Sequence, residues 1–203
     1  MEIRFIGEGR RFRTFVDIGS NDGAYGAYIQ KLFDIPRVIA FEPLPLYADT
    51  LRERGFELHA VALDAEPGEG QFIVNKYPAS SSLRPMTPTT LSEWSGVVEE
   101  VKTIPVRKAR LDDEIAGVLE GDVLIKVDAQ GAETEILQGG QRVFAQAAAI
   151  MIETNFVPLY RGEGGFNSIH AALAELGFHL SGFKSQHIGK NGRPLFAHCI
   201  YER

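Results

Sequence analysis

Short apolar runs alternate with stripes at helical spacing along most of the chain. Thr14 to Ile18 is a run of strand type that ends in Asp17-Ile18-Gly19. After a glycine-bearing turn, Tyr25, Tyr28, Ile29, Leu32 and Phe33 recur at the spacing of one helix face, and Pro36 stops the pattern. Arg37 to Phe41 predicts a second strand, closed by Glu42-Pro43. Leu44, Tyr47, Ala48 and Leu51 predict a second helix with Gly55 at its C-terminal cap, and Phe56 to Leu63 predicts a third strand.

The rhythm breaks after that. Glu66 to Gly70 reads as a turn into a strand at Gln71 to Asn75, with local antiparallel pairing. Residues 78–100 are rich in Ser, Thr and Pro and predict a long loop, mobile or functional. Thr103 to Val106 reads as a short strand, and Leu111-Asp112-Asp113-Glu114 opens a brief helix. Order then returns with a buried-type strand at Val123 to Val127, a helix from Ala132 to Phe144, and a strand at Ala148 to Ile152 ending at Glu153. Ile169, Ala172, Leu173 and Leu176 mark a last helix before Gly177. Phe178 to Phe183 and Leu195 to Tyr201 make a final pair joined by a Gly189–Gly192 turn. Strands alternating with amphipathic helices predict an α/β fold with a parallel sheet covered on both faces. No internal repeat or boundary interrupts it, so residues 1–203 read as a single domain with a short N-terminal extension at residues 1–13.

Composition narrows the class. With 203 residues, 44% hydrophobic and 24% charged, the chain has the make-up of a soluble globular protein, and no apolar run approaches a membrane span. The mixed charges of Met1 to Arg13 do not fit a secretory signal. A single cysteine, Cys199, excludes an internal disulfide and points to the cytoplasm. A net charge of -6 argues against a nucleic-acid partner, although a small anionic or carbohydrate substrate stays open. The arginines at 10, 11 and 13 read as a solvated edge.

The candidate chemistry sits in the loop after the first strand. Asp17-Ile-Gly-Ser-Asn-Asp-Gly23 lies where open α/β sheets hold ligands, and Gly19 and Gly23 allow tight turning and close approach. Its glycines at 19, 23 and 26 do not follow the dinucleotide spacing. Asp17 and Asp22 would repel a pyrophosphate, whereas they favour the sulfonium and ammonium of S-adenosylmethionine. Glu42 is placed to accept from ribose hydroxyls. With Pro43 it also suits a plain helix start, but Asp17 and Gly19 upstream favour the ligand role. Ala62 and Leu63 would form an apolar shelf for adenine, and read alone they are core.

Together these residues resemble the FkbM family of methyltransferases. The resemblance rests on Phe15-Val-Asp-Ile-Gly-Ser-Asn-Asp-Gly23, Ala40-Phe-Glu-Pro43, Ala62-Leu63, Arg110-Leu-Asp-Asp113, Leu124-Ile-Lys-Val-Asp-Ala-Gln-Gly-Ala-Glu133, Ile150-Met-Ile-Glu153 and the later Leu173 with Gly177-Phe178. It implies a Rossmann-like, mostly parallel seven-stranded sheet with an antiparallel last strand. It also implies S-adenosylmethionine as donor and a hydroxyl acceptor on a glycan or small natural product. Asp17, Gly19, Ser20, Asn21, Gly23, Glu42, Pro43, Ala62, Leu63 and Asp128 would then bind the cofactor.

Methyl transfer is an in-line displacement that needs an aligned acceptor and a group to take its proton. Asp128 and Glu153, each ending a strand, are the candidate catalytic residues. Lys126 reads as the ion-pair partner of one of these two acids, and Glu133 as a structural acid at a helix start. Three carboxylates at 128, 133 and 153 do not by themselves make a metal site, and none is predicted. Nor do the five scattered histidines suggest zinc. The Ser80-Ser-Ser-Leu83 run resembles a family feature and also suits a flexible polar loop. Trp94 and Tyr160 suit either stacking on a sugar face or packing. The alternatives are an NAD-dependent oxidoreductase, disfavoured by the loop acids, and a non-catalytic cofactor-binding protein.

Overall fold

Strand β1 (Phe12–Ile18) is almost wholly buried, as a strand covered on both faces must be. In the computed structural model, which describes residues 6–203, β1 sits at the centre of the main sheet. Residues 1–5 of the predicted N-terminal extension lie outside the described residues. The chain continues through α1 (Ala24–Phe33), β2 (Arg37–Phe41), α2 (Ala48–Glu53), β3 (Glu57–His59), β4 (Ala62–Leu63), β5 (Gly68–Asn75) and α3 (Pro88–Glu93). Then follow β6 (Glu100–Ala109), α4 (Leu111–Ile115), β7 (Asp122–Val127), α5 (Glu133–Gly139) and α6 (Gln141–Phe144). The last elements are β8 (Ala147–Asn155), α7 (Phe166–Glu175), β9 (His179–Ile188) and β10 (Pro194–Glu202).

The main sheet has seven strands in the order β3-β2-β1-β7-β8-β10-β9. β1 pairs in parallel with β2 and β7, and β8 continues the parallel run, while β10 is antiparallel to both its neighbours. This is a Rossmann-like α/β fold. Chain order reverses beside β1, so the carboxyl ends of β1 and β7 open the crevice where such sheets take ligands. Every residue of β8 is buried. One apolar cluster joins β1, β7 and β8 to α5 and α7, and a second joins β1 and β2 to α1 and α2 on the opposite face. No helix among the described residues is long and apolar enough to cross a membrane.

Four expectations need correction. The third strand divides, because a tight turn at Val61 hands Ala62-Leu63 to a small second sheet where β4 pairs with β6 and β6 with β5. The helix expected from Ala132 to Phe144 breaks at Gly140, where added side-chain bulk would meet Leu111 and Phe144. On α1 the buried face centres on Gly26 and Ile29, while Tyr28 and Leu32 are exposed.

Residues 78–100, finally, are not structureless. They hold a 3-10 turn at Pro78–Ser80 and helix α3. Thr87 caps α3 and donates to the Pro158 carbonyl, and Thr90 donates to the Leu159 carbonyl. Polar side chains fix this segment where apolar periodicity would not have announced it.

Candidate active site

The floor of the crevice is made of backbone. Gly19 has φ +73°, and a methyl group there would collide with the Asp128 carbonyl oxygen. The close approach of two strand ends therefore requires glycine at this position. Gly19 and Ser20 both donate to the Phe41 carbonyl, and the Ser20 hydroxyl donates to the Asp17 carbonyl at 2.6 Å. Asn21 adopts φ +53°, and its N–H donates to Glu42 at 2.8 Å. The other Glu42 oxygen accepts from the Leu44 N–H at 2.9 Å, so this acid ties the first loop to the end of β2. Burial pushes the Glu42 carboxyl above its ordinary range, against these two backbone donors.

Three cavities meet over this floor. A narrow slot of about 60 Å³ is lined by Ile18, Glu42, Pro43, Ala62, Leu63 and Ile136, with Pro78, Ala79 and Leu83 on one wall. Beside it lies a wider cavity of about 450 Å³, bordered by Gly19 to Asp22, Tyr25, Lys126, Met151 and Lys184. A third, of about 310 Å³, is bordered by Trp94, His187, Phe196, Tyr160 and Glu153. Asp128 borders all three.

Two of the expected residues do other work. Asp17 borders none of the cavities: it is 1% exposed and lies beneath the loop, 3.2 Å from Lys126 Nζ. Lys126 therefore pairs with Asp17, not with Asp128 or Glu153, and it also donates to the Gly19 carbonyl at 2.7 Å. The reason is register: Asp17 and Lys126 are direct partners across β1 and β7. Burial opposes the charge on Lys126, but Asp17 and Asp128 together raise its pKa above the ordinary lysine value. Gly23 faces α2, since added bulk there would strike Leu51 and Arg54. Asp22, at the entrance to α1, accepts from the Ala24 N–H at 2.9 Å and so occupies the anion-attracting end of that helix with the chain's own carboxylate.

Asp128 and Glu153 do come together, and His198, which the sequence did not single out, joins them. His198 Nε2 stands 3.6 Å from Asp128 Oδ2 and 3.6 Å from Glu153 Oε2. Direct pairing of His198 with Glu153 across β10 and β8 puts it there. Only the antiparallel register, formed from residues 45 apart, could have revealed this. Gln130 Nε2 donates to Asp128 Oδ1 at 2.7 Å, and Tyr160 donates to Gln130 Oε1 at 2.6 Å. Tyr160 is thus a buried bracing residue rather than an exposed platform. Burial would raise the Asp128 pKa, yet Lys126 and His198 hold it well below the usual carboxylate value. Burial, with Asp128 and Glu133 nearby, drives Glu153 well above it.

Glu133 is also positioned by the backbone, bridging the Ala129 and Gly131 N–H groups at 2.8 and 2.9 Å. Its burial pushes the carboxyl up to about 7. On the far wall, Trp94, His187 and Phe196 form an aromatic group, with His187 stacked on Phe196 at 5.1 Å and Trp94 at 5.1 Å from His187. The three cavities thus adjoin at Asp128, with Glu153 and the His198 imidazole at the junction and the aromatic wall beyond it.

Comparison with known proteins places the chain in a family. The model of the methyltransferase FkbM domain matches residues 17–180. The chain is 30% identical over 163 residues to the 2-O-methyltransferase NoeI of Sinorhizobium fredii, covering 74% of this chain and 66% of that protein. It therefore spans just under two thirds of that relative's length. It is 26% identical over 181 residues to Methyltransferase 1 of Beauveria bassiana, covering 80% of this chain and 71% of the other. Among solved structures it is similar to an O-methyltransferase family protein from Burkholderia thailandensis, with a TM-score of 0.47 and 14% identity over 95% of this chain and 51% of that one.

Proposed function

The chain belongs to the FkbM methyltransferase family, and from that premise we propose that it moves the methyl group of S-adenosylmethionine to a hydroxyl oxygen of a glycan or small natural product. The observation that carries this reading is the position of Asp128 at the meeting point of the three cavities. A donor lying along the first two would present its reactive centre to whatever occupies the third.

Fit to the donor is supported by charge and shape. Glu42, Pro43, Ala62 and Leu63 line the slot, offering a carboxylate for ribose hydroxyls and an apolar wall for adenine. The second cavity carries both signs: Asp22 and Asp128 suit an ammonium, and Lys184 suits a carboxylate. That mixture matches a zwitterionic amino-acid tail better than a pyrophosphate. The slot is narrow at about 60 Å³, so seating a nucleoside requires the Pro78–Ser80 turn to move outward. When bound, the donor supplies a methyl group already activated on a sulfonium.

The chain's own residues then have three tasks. Gly19, Ser20 and Asn21 shape the wall against the donor's tail, with Asp17 and Lys126 supporting the loop from below and Gly23 packing it on α2. Trp94, His187 and Phe196 offer flat faces to a sugar ring, whose axial C–H groups pack well on aromatics. Asp128 and Glu153 orient the acceptor hydroxyl and draw off its proton, with His198 between them.

Calorimetry of the purified chain tests the donor assignment. S-adenosylmethionine and S-adenosylhomocysteine should bind and NAD should not. Folded protein that ignores S-adenosylhomocysteine would overturn the proposal. A screen of hydroxylated sugars and metabolites with labelled donor should then find label on oxygen, and label appearing on nitrogen or carbon instead would reject the acceptor class.

A further inference from the structure

Each acid or imidazole at the junction of the cavities is braced by a partner, with one exception. Gln130 holds one oxygen of Asp128 at 2.7 Å and leaves Oδ2 facing inward. The Ser185 hydroxyl lies 3.0 Å from His198 Nδ1 and turns Nε2 towards the same point. Glu153 is only 6% exposed, yet its carboxylate accepts no hydrogen bond from any described residue. Lys126 acts on it only at longer range, because its ammonium pairs with Asp17 at 3.2 Å and donates to the Gly19 carbonyl. A buried carboxylate without a donor is costly, so it either holds a proton or takes a cationic partner.

The geometry points to a divalent first-row cation, best matched by Mn²⁺, held between Asp128, Glu153 and His198. The three side chains offer one ligand atom each, all within 4.8 Å of one another. Two atoms each about 2.1 Å from a common ion stand roughly 3 to 3.7 Å apart at octahedral to trigonal angles, and the imidazole nitrogen lies 3.6 Å from each carboxylate oxygen. Two hard carboxylates with one imidazole fit Mn²⁺ better than Mg²⁺, which prefers an all-oxygen shell. Gln130 and Ser185 supply the outer partners that fix ligand direction in built metal sites. Strands β8 and β10 hold two of the ligands in direct register, so the set is rigid before any ion arrives.

An ion there leaves positions open towards the aromatic cavity, where an acceptor hydroxyl could bind it. With the ion bound, Asp128 and Glu153 would serve as its ligands in place of drawing off the proton themselves; the coordinated hydroxyl would lose its proton to solvent more readily, and its oxygen would be held beside the donor. This role rests on the methyl-transfer reading above, but ion binding itself does not.

The experiment is titration of chelator-treated full chain with Mn²⁺ alone, followed by electron paramagnetic resonance of the free ion, with S-adenosylhomocysteine calorimetry on the same samples. One bound Mn²⁺ per chain is expected, with a rise in melting temperature that follows its concentration. Glu153→Gln and His198→Gln should each weaken Mn²⁺ binding by at least about tenfold, while Glu42→Gln should weaken S-adenosylhomocysteine and leave Mn²⁺ untouched. If either ligand variant does not fold, the wild-type stoichiometry and thermal shift decide alone. Failure of folded wild type to bind Mn²⁺ at millimolar concentration would overturn the metal inference, as would full binding by both ligand variants. Loss of S-adenosylhomocysteine binding alone would instead strike the donor reading.

Discussion

The two sides of the crevice are built by different means. On the side proposed for the donor, the loop after β1 is held by backbone hydrogen bonds to Phe41, by Glu42 receiving two N–H groups, and by a glycine that nothing larger can replace. On the side proposed for the acceptor, the walls are side chains: Trp94 at the C-terminal cap of α3, His187 from β9, and Phe196 and His198 from β10. A backbone-built site accepts one ligand shape and tolerates little change. A side-chain-built site can be re-tailored without disturbing the fold. Under the proposed function, the contrast leaves the donor half fixed by the fold and the acceptor half open to change.

The sharpest way to break that contrast is below the donor loop. Lys126→Met leaves the Asp17 carboxylate 1% exposed and unpaired. Removing one partner of a buried pair costs about 3–5 kcal/mol, read as a lower midpoint in urea denaturation. Pairing it with Asp17→Asn should recover much of that loss. If the single substitution costs under about 1 kcal/mol, the pair does not support the loop as described.

Next in size is Glu42→Ala. It removes an acceptor from two backbone donors and from the proposed ribose contact, each charge-assisted bond being worth about 1.5–3 kcal/mol. S-adenosylhomocysteine affinity should fall by roughly 10- to 1000-fold. Unchanged affinity would remove Glu42 from the donor site.

Glu133 lies between the two sides and gives a pH test. Its carboxyl sits near 7 in the folded chain and near 4.5 when unfolded. The folded form thus favours the protonated acid, and the stability this adds is complete below about pH 4.5. It is lost as pH rises through about 7. Glu133→Gln keeps only one oxygen for two backbone donors, so it should cost about 1 kcal/mol at pH 5. The gap from wild type should narrow by pH 8, because the variant has no buried charge to form. Parallel stability curves across that range would show that burial does not raise this carboxyl.

How far the sequence revealed the molecule follows the same division. The strand–helix alternation and the loop from Asp17 to Gly23 were legible because backbone requirements leave local marks: a glycine where a strand end comes close, an acid at a strand tip. The seven-stranded order came through the resemblance that those marks support. Tertiary pairing was hidden. Asp17 looked like part of the cavity wall, yet register with Lys126 places it underneath. His198 joins Asp128 and Glu153 only because β10 runs antiparallel beside β8. The order within residues 78–100 was hidden too, since Thr87 and Thr90 secure it through carbonyls some seventy residues away.

The smallest expected effect tests the acceptor side. Trp94 caps the C-terminus of the short helix α3, and its ring is 5.1 Å from His187 and 6.4 Å from Phe196. Removing one aromatic face costs about 0.5–1.5 kcal/mol beyond the area it buries. Trp94→Ala should therefore raise the acceptor KM by roughly 2- to 10-fold, with kcat and S-adenosylhomocysteine affinity unchanged. That split is what a side-chain wall predicts, because the ring neighbours of Trp94 are His187 and Phe196, which lie outside the loop after β1. If donor affinity falls in step with KM, the two sides are coupled through the 78–98 segment, and the division between a backbone-built and a side-chain-built half does not hold.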